Sequence, residues 1–364
     1  MISLVRNKLD SFLGRGAFST SVPVMDGPLQ PNHALDRAEG LLTANKVDNL
    51  VDLGGALFFS SGVTLLRALE STADQVATYD AEISCLASDG QSALAVGLEG
   101  QGVVLRGGAY DGKKIETLGG AKLGCATAAL FESPDLLLIA VGSARFAPSE
   151  WKRDLMALGS TGSVWRIDLS TGTETCLGRG LAFPYGIAKR DDGAVVVSEA
   201  WRHRLVALTG GKPVPVLENL PGYPARIAPA AHGGFWTSLF APRNQLVEFV
   251  LREPRYRRDM IDQVDSDFWI APALQSGESY REPLQGGSVK QMGILKPWAP
   301  AFSYGLVVRL DEDFQPVASW HSRADGTRHG VTALCEADGR LAVAAKGAGE
   351  ILLLEEITIT GEAV

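Results

Sequence analysis

The sequence predicts an all-β fold, a six-bladed β-propeller of four-stranded antiparallel blades, and three observations carry the prediction. Short apolar runs alternate with turns along most of the chain, whose 41 glycines and 18 prolines are spread throughout. Carboxylate–glycine turns separate such runs at Asp89-Gly90, Asp192-Gly193 and Asp338-Gly339, and paired glycines do so at Gly54-Gly55 and Gly233-Gly234. Asp-Gly between apolar strands is a strong hairpin signal, because type I′ turns need positive φ at both central positions. The strand–turn–strand unit then recurs in six copies at roughly 40-residue spacing, the period of radially arranged blades. A β-sandwich would also use short strands, but regular internal similarity favours the propeller.

Taken in order, residues 1–44 form an N-terminal segment expected to complete the last blade near Gly40-Leu41-Leu42-Thr43. Its first fifteen residues mix charge with apolar side chains, which reads as neither a secretory signal nor a membrane span. Leu4, Leu9, Phe12 and Leu13 would suit a short amphipathic helix there. The propeller is expected over residues 45–355. Its copies begin near Asn49, Ile83, Cys125, Leu181, Tyr223 and Gly330, and each has a second strand that is a continuous apolar run. Such runs are expected where both faces of a sheet are covered. A polar excursion over 143–159 interrupts the third copy. A longer insertion, 254–303, interrupts the fifth and continues into Tyr304. Long loops are commonly functional lids, and Phe268, Trp269, Tyr280, Trp298, Phe302 and Tyr304 make this one aromatic. It is expected to cover one mouth of the ring or to form a homodimer contact.

Composition narrows the function. A chain that is 46% hydrophobic and 21% charged is ordinary globular material. Its net charge of -8 argues against nucleic acid, which demands clustered basic residues. The one basic cluster, Arg252 to Arg258, is broken by Glu253 and reads as a solvated loop. Cys85, Cys125, Cys176 and Cys335 lie far apart without a C-x-x-C pair. They read as reduced thiols in a cytoplasmic protein that does not associate with membranes.

Phe183-Pro184-Tyr185-Gly186-Ile187-Ala188, with Val197-Ser198-Glu199-Ala200 after it, resembles the strictosidine synthase-like proteins, six-bladed propellers related to the gluconolactonase/senescence-marker group and the paraoxonases. Leu220 to Ile227, Gly233 to Leu239, Gly305 to Asp311 and 331–339 continue the resemblance, which spans about residues 45–355. It implies a small-molecule enzyme, with ester or lactone hydrolysis as the expected reaction. In metal-dependent members a ring of Glu, Asn and Asp offers oxygen ligands to an axial divalent cation. Here Tyr185 stands where that pattern has an amide, and Arg226 follows Pro224-Ala225 where it has Pro-Asp-Asn. Thr127 falls near the usual Asn-Asp pair, and Thr332 replaces the last-blade glutamate of the alkaloid-forming member. The expectation is therefore an enzyme without metal or other cofactor.

Aligning the blade entrances places Asp48, Ser84, Thr127, Tyr185, Arg226 and Thr332 around one mouth, where convergent polar groups would define a small-molecule pocket. Tyr185, Arg226, His329 and Asp48 are the candidate catalytic residues. Thr127, Trp201, Tyr304, Thr332 and Trp269 are the candidate substrate-binding residues. Arg226 could lower the Tyr185 pKa and make the phenol a general acid or base, or clamp a substrate carboxylate. Equally, Tyr185 could cap the channel while Arg226 pairs with Asp48. His329 precedes the last inner strand and could serve as a base, whereas His203, between Arg202 and Arg204, reads as part of an exposed turn. Glu199 reads as a buried ion-pair partner of those arginines. A non-catalytic binder, or a metal-free condensation or isomerisation enzyme, remain as alternatives.

Overall fold

The computed structural model describes residues 22–277, 279, 282–283, 290–291, 294–295 and 301–355. Six four-stranded antiparallel sheets stand around one axis, with the innermost strands of successive blades in contact around a closed ring. Those inner strands are Val47–Leu53, Ile83–Ser88, Ala126–Ser133, Pro184–Lys189, Gly222–Pro229 and Val331–Ala337. The expected apolar second strands follow, for example Leu136–Val141, Val195–Glu199 and Arg340–Ala345, and are almost wholly buried.

Closure comes from the N-terminal side. Strand Glu39–Thr43 pairs antiparallel with Glu350–Leu354 as the outer strand of the sixth blade. Joining the two ends of the chain in one sheet leaves no blade interface without a neighbour, which removes an exposed edge. Before it, helix α1 (Ala34–Arg37) and its approach bind the fifth blade. Asn32 donates to the Ser319 carbonyl at 2.9 Å, and Asp36 accepts from Ser322 Oγ at 2.7 Å. The possible helix at residues 4–13 lies outside the described residues.

Two excursions depart from the repeat. The 143–159 segment carries α2 (Trp151–Met156), held by the buried Asp154, which accepts from Ser143 Oγ and Trp201 Nε1 at 2.7 Å each. The fifth-blade insertion, expected as a long loop over 254–303, begins instead with α4 (Pro254–Gln263), and α3 (Gln245–Arg252) precedes those bounds directly after the second strand. Asn244 caps α3 by accepting from Leu246 N at 2.9 Å, and Pro254 suits the first turn of α4. The basic cluster read as a solvated loop thus straddles two helices. Val250 turns inward to a core with Phe240, Met260 and Trp269, and Val247 is buried as well. Tyr280 and Trp298 lie outside the described residues.

Candidate functional site

Every inner strand carries a β-bulge near its entrance. Tyr185 is skipped between the Pro184–Glu199 and Gly186–Ser198 pairs, and Ser84, Thr127 and Thr332 are skipped in the same way in their blades. Asn49-Leu50 and Ala225-Arg226 are the bulged residues of the first and fifth blades. A bulged residue is left out of the ladder and its side chain or carbonyl is re-aimed. The carbonyls of the bulged Ser84, Thr127 and Thr332 and the side chains of the bulged Tyr185 and Arg226 meet at the axis. Gly186 is required here, because a Cβ on it would meet the Ala225 carbonyl at 2.5 Å and Arg226 Cα at 2.8 Å.

Arg226 occupies the centre. Its Nη1 donates to Asp48 Oδ1 at 2.9 Å and the Thr332 carbonyl at 3.3 Å. Its Nη2 donates to the carbonyls of Ser84 at 2.8 Å and Thr127 at 3.4 Å. The guanidinium carbon stands 5.0 Å from the centroid of the Tyr185 ring, a distance at which ring and cation attract. One side chain of the fifth blade therefore touches all the others. The carbonyls can accept because the bulges withhold them from strand pairing.

Asp48 is the counter-charge. Its Oδ1 also accepts from Thr332 Oγ1 at 2.7 Å and Asn49 N at 2.9 Å, and its Oδ2 accepts from Lys346 Nζ at 2.8 Å. Burial alone would raise the Asp48 pKa, but Arg226 and Lys346 outweigh it and hold the carboxyl well below the usual carboxylate range. Burial likewise works against the Arg226 and Lys346 charges, yet Asp48 raises both pKa values. For Tyr185 the balance differs from the expectation. Burial, assisted by the Asp48 carboxylate, raises its pKa despite the opposing guanidinium. The phenol is thus a neutral donor, not the acidified group that the Arg226 neighbour alone suggested.

Above this hub lies a cavity of about 210 Å³. Asp48, Ser84, Thr127, Tyr185 and Lys346 line its polar part, while Trp151, Phe183, Trp201 and Phe240 contribute the apolar wall. Phe183 stacks on Trp201 with centroids 4.5 Å apart, and Trp151 meets Phe240 edge-on at 5.4 Å. Lys46, paired with Glu82, and Glu99, which accepts from Ser149 Oγ and N, also border it. Leu274 of the insertion reaches the same cavity. Its carbonyl lies where a Cβ on Gly330 or Gly347 would stand, at 2.6 and 2.0 Å.

The structure brings Asp48, Thr127, Tyr185 and Trp201 to the cavity lining, with Arg226 and Thr332 bonded into the hub. It does not bring His329, Tyr304 or Trp269 there. His329 is buried, with Nδ1 2.8 Å from Ser303 Oγ and Nε2 2.7 Å from the Arg323 carbonyl. That arrangement puts the proton on Nε2, and burial lowers its pKa. Tyr304 bonds His321 Nδ1 at 3.0 Å, and Trp269 donates to the Val264 carbonyl at 2.8 Å within the insertion core. His203, read as exposed, is buried against Glu248 at 3.2 Å, because the insertion covers that turn. Glu199 does bind Arg202 and Arg204. Lys346, Glu99, Trp151 and Phe240 are among the lining residues that the reading of blade entrances missed. Three of them end or follow second strands, on the side of each blade where Trp201 also lies.

A divalent cation of the kind the resemblance implies needs several free oxygen ligands. The hub offers one carboxylate, already bonded to two cationic side chains, and carbonyls that already accept from Arg226. Among the described residues no group of three or more His, Cys, Asp and Glu could hold a metal. These residues do not fit such an ion.

Comparison with known proteins agrees with this architecture. A strictosidine synthase-like protein of Arabidopsis thaliana is 28% identical over 131 residues, a match covering 35% of this chain and 35% of that protein. A gluconolactonase from Xanthomonas campestris superposes with a TM-score of 0.54 at 13% identity, covering 92% of this chain and 96% of that one. Regucalcin from Agrobacterium tumefaciens, described as calcium-binding, gives 0.50 at 14% identity over 89% and 93%. No family model matches the chain. The chain is a six-bladed propeller with the fold of these solved structures, and over about a third of its length it is similar in sequence to a strictosidine synthase-like protein.

Proposed function

We propose that the chain is a metal-independent hydrolase of a small ester or lactone bound in the axial cavity. The observation that carries the reading is the Lys346 ammonium, which lines an aromatic-walled cavity while Asp48 anchors it from below at 2.8 Å. A fixed cation beside the reacting group stabilises charge developing on a carbonyl oxygen, the task a metal ion performs elsewhere. Tyr185 is protonated and can donate to the same oxygen. Asp48 is not the base, since its oxygens are occupied by Arg226, Thr332 and Lys346. Glu82 is paired with Lys46, which leaves Glu99, whose Ser149 donors are neutral and leave lone pairs free, to accept the proton of an attacking water as it adds to the carbonyl and to return it to the alcohol as the ester C–O bond breaks. The gluconolactonase among the structural neighbours supports the reaction class, and four unpaired cysteines support a reducing compartment.

A second reading is a binder without turnover. It is favoured by the placement of His329 outside the cavity and by the engagement of the Asp48 oxygens, which leaves neither candidate free to act as a base. A panel of aryl esters and lactones, assayed with chelator present, separates the two. Turnover that survives chelation and collapses in Lys346→Met and Glu99→Gln supports hydrolysis. Saturable binding without turnover supports the binder.

A further inference from the structure

The polar groups around the cavity floor do not balance. On the acceptor side, Asp48 Oδ1 receives Arg226, Thr332 Oγ1 and Asn49 N, and Oδ2 receives Lys346. The carbonyls of Ser84, Thr127 and Thr332 receive Arg226. Thr127 Oγ1 is itself spent as a donor to the Pro184 carbonyl at 2.5 Å. On the donor side there is a surplus. Lys346 has three N–H groups and, among the described residues, one hydrogen-bond partner. Ser84 Oγ, buried against the Cys85 thiol and Gly97, offers the cavity no donor, so the surplus is that of Lys346. Charge tells the same story, since Arg226 and Lys346 face the single carboxylate of Asp48.

Carboxylates at the rim pull the other way, so position decides. Glu82 is half-exposed and neutralised by Lys46, and Glu99 is partly solvated. Charges in water are screened within about 10 Å at ordinary salt, whereas buried charge acts through a lower effective dielectric. Arg226 is buried and Lys346, about a third exposed, is held on Asp48, so the floor presents one net positive charge to a ligand that enters fully. The walls fix the rest of its shape. Phe183, Trp201, Trp151 and Phe240 form a flat-sided apolar enclosure, and 210 Å³ is smaller than the roughly 300–1,000 Å³ of drug-sized clefts.

We propose that the axial cavity selects a small monoanionic carboxylate with a flat apolar body, its anion seated on Lys346 and its body between Trp201, Trp151 and Phe240. This rests on the reading of the cavity as the ligand site but not on catalysis. It makes a carboxylic acid, the product class of ester or lactone hydrolysis, a tighter ligand than a neutral isostere.

Trp151 and Trp201 line the cavity, so the full-length protein reports occupancy by tryptophan fluorescence, with calorimetry as a second measure. The probes are benzoate, benzamide and benzylamine, which share a ring and differ in charge. Benzoate is expected to bind at least about tenfold more tightly than either other probe. Lys346→Met should abolish that preference, Lys346→Arg should restore part of it, and Lys212→Met on the fourth blade's outer strand should leave it intact. Tighter binding of benzylamine, equal binding of all three, or an undiminished preference in Lys346→Met would overturn the proposal. Benzoate selectivity in a protein that turns over no ester upholds this inference while removing the hydrolase reading. Ester turnover without benzoate selectivity does the reverse.

Discussion

Arg226 and Asp48 are 178 positions apart in sequence and 2.9 Å apart in space. They join the fifth blade to the first across the axis of the ring, where a propeller has no backbone hydrogen bonds of its own. The guanidinium is held chiefly by main-chain oxygen, and it brings to the hub a cation tethered to the chain. Removing one partner of a buried, hydrogen-bonded charge pair leaves the other exposed to its full desolvation cost.

Arg226→Met should therefore destabilise the fold by about 3 kcal/mol or more, read as a lowered urea midpoint. Asp48→Asn should also destabilise, since Arg226 and Lys346 would then face each other across a neutral amide. The double variant should cost less than the sum of the singles, because both remove one shared interaction. Strict additivity would mean that the pair contributes nothing to stability.

Lys346 presents the opposite balance of stability and function. Its side chain is about a third exposed, and partly solvated pairs contribute roughly 0–1 kcal/mol. Lys346→Met should leave the melting temperature within a few degrees while reducing turnover at least about tenfold, as expected for loss of one charge-stabilising donor. A variant that unfolds instead would make Lys346 a structural strut.

For Tyr185 the ring outweighs the hydroxyl. Since burial and Asp48 raise its pKa, no phenolate forms near neutral pH, and the activity profile between pH 6 and 9 should show no rise that disappears in Tyr185→Phe. Tyr185→Ala removes the surface beneath Arg226 and should cost about 3–5 kcal/mol in a denaturation curve.

Acid sensitivity should come from buried neutral histidines. The His321 pKa is lowered to about 4 by burial and by Arg323, against roughly 6.5 in an unfolded chain. The native state therefore binds fewer protons, and the stability contribution is complete above pH 6.5 and lost as pH falls towards 4. The amount is about 3 kcal/mol. Urea midpoints at several pH values should fall across that window, and His321→Gln should flatten the slope. An unchanged slope would assign the proton uptake to His203 and His329, whose pKa values are also lowered.

Much of this molecule was legible because propeller signals are local. Asp-Gly turns and apolar return strands define each blade within a few dozen residues, and matching blade entrances placed Asp48, Thr127, Tyr185, Arg226 and Thr332 at one hub. What escaped was non-local or carried by backbone. The carbonyls of Ser84, Thr127 and Thr332 grip Arg226 because of bulges that leave no mark in residue identity. His203 is buried only because α3 brings Glu248 over it. The helix itself was within reach, since Asn244 precedes Leu246, Val247, Val250 and Leu251 at helical spacing. Lys346, closing an apolar strand at the ring's open side, gave a signal that attention to strand entrances overlooked.

Calcium titration by calorimetry on chelator-stripped protein, paired with thermal melts in chelator and in excess calcium, tests the guanidinium hub most directly. With Arg226 in place, no stoichiometric calcium binding and superimposable melts are expected. One tightly bound calcium per chain, with a melting temperature that rises by several degrees on its addition, would contradict the account.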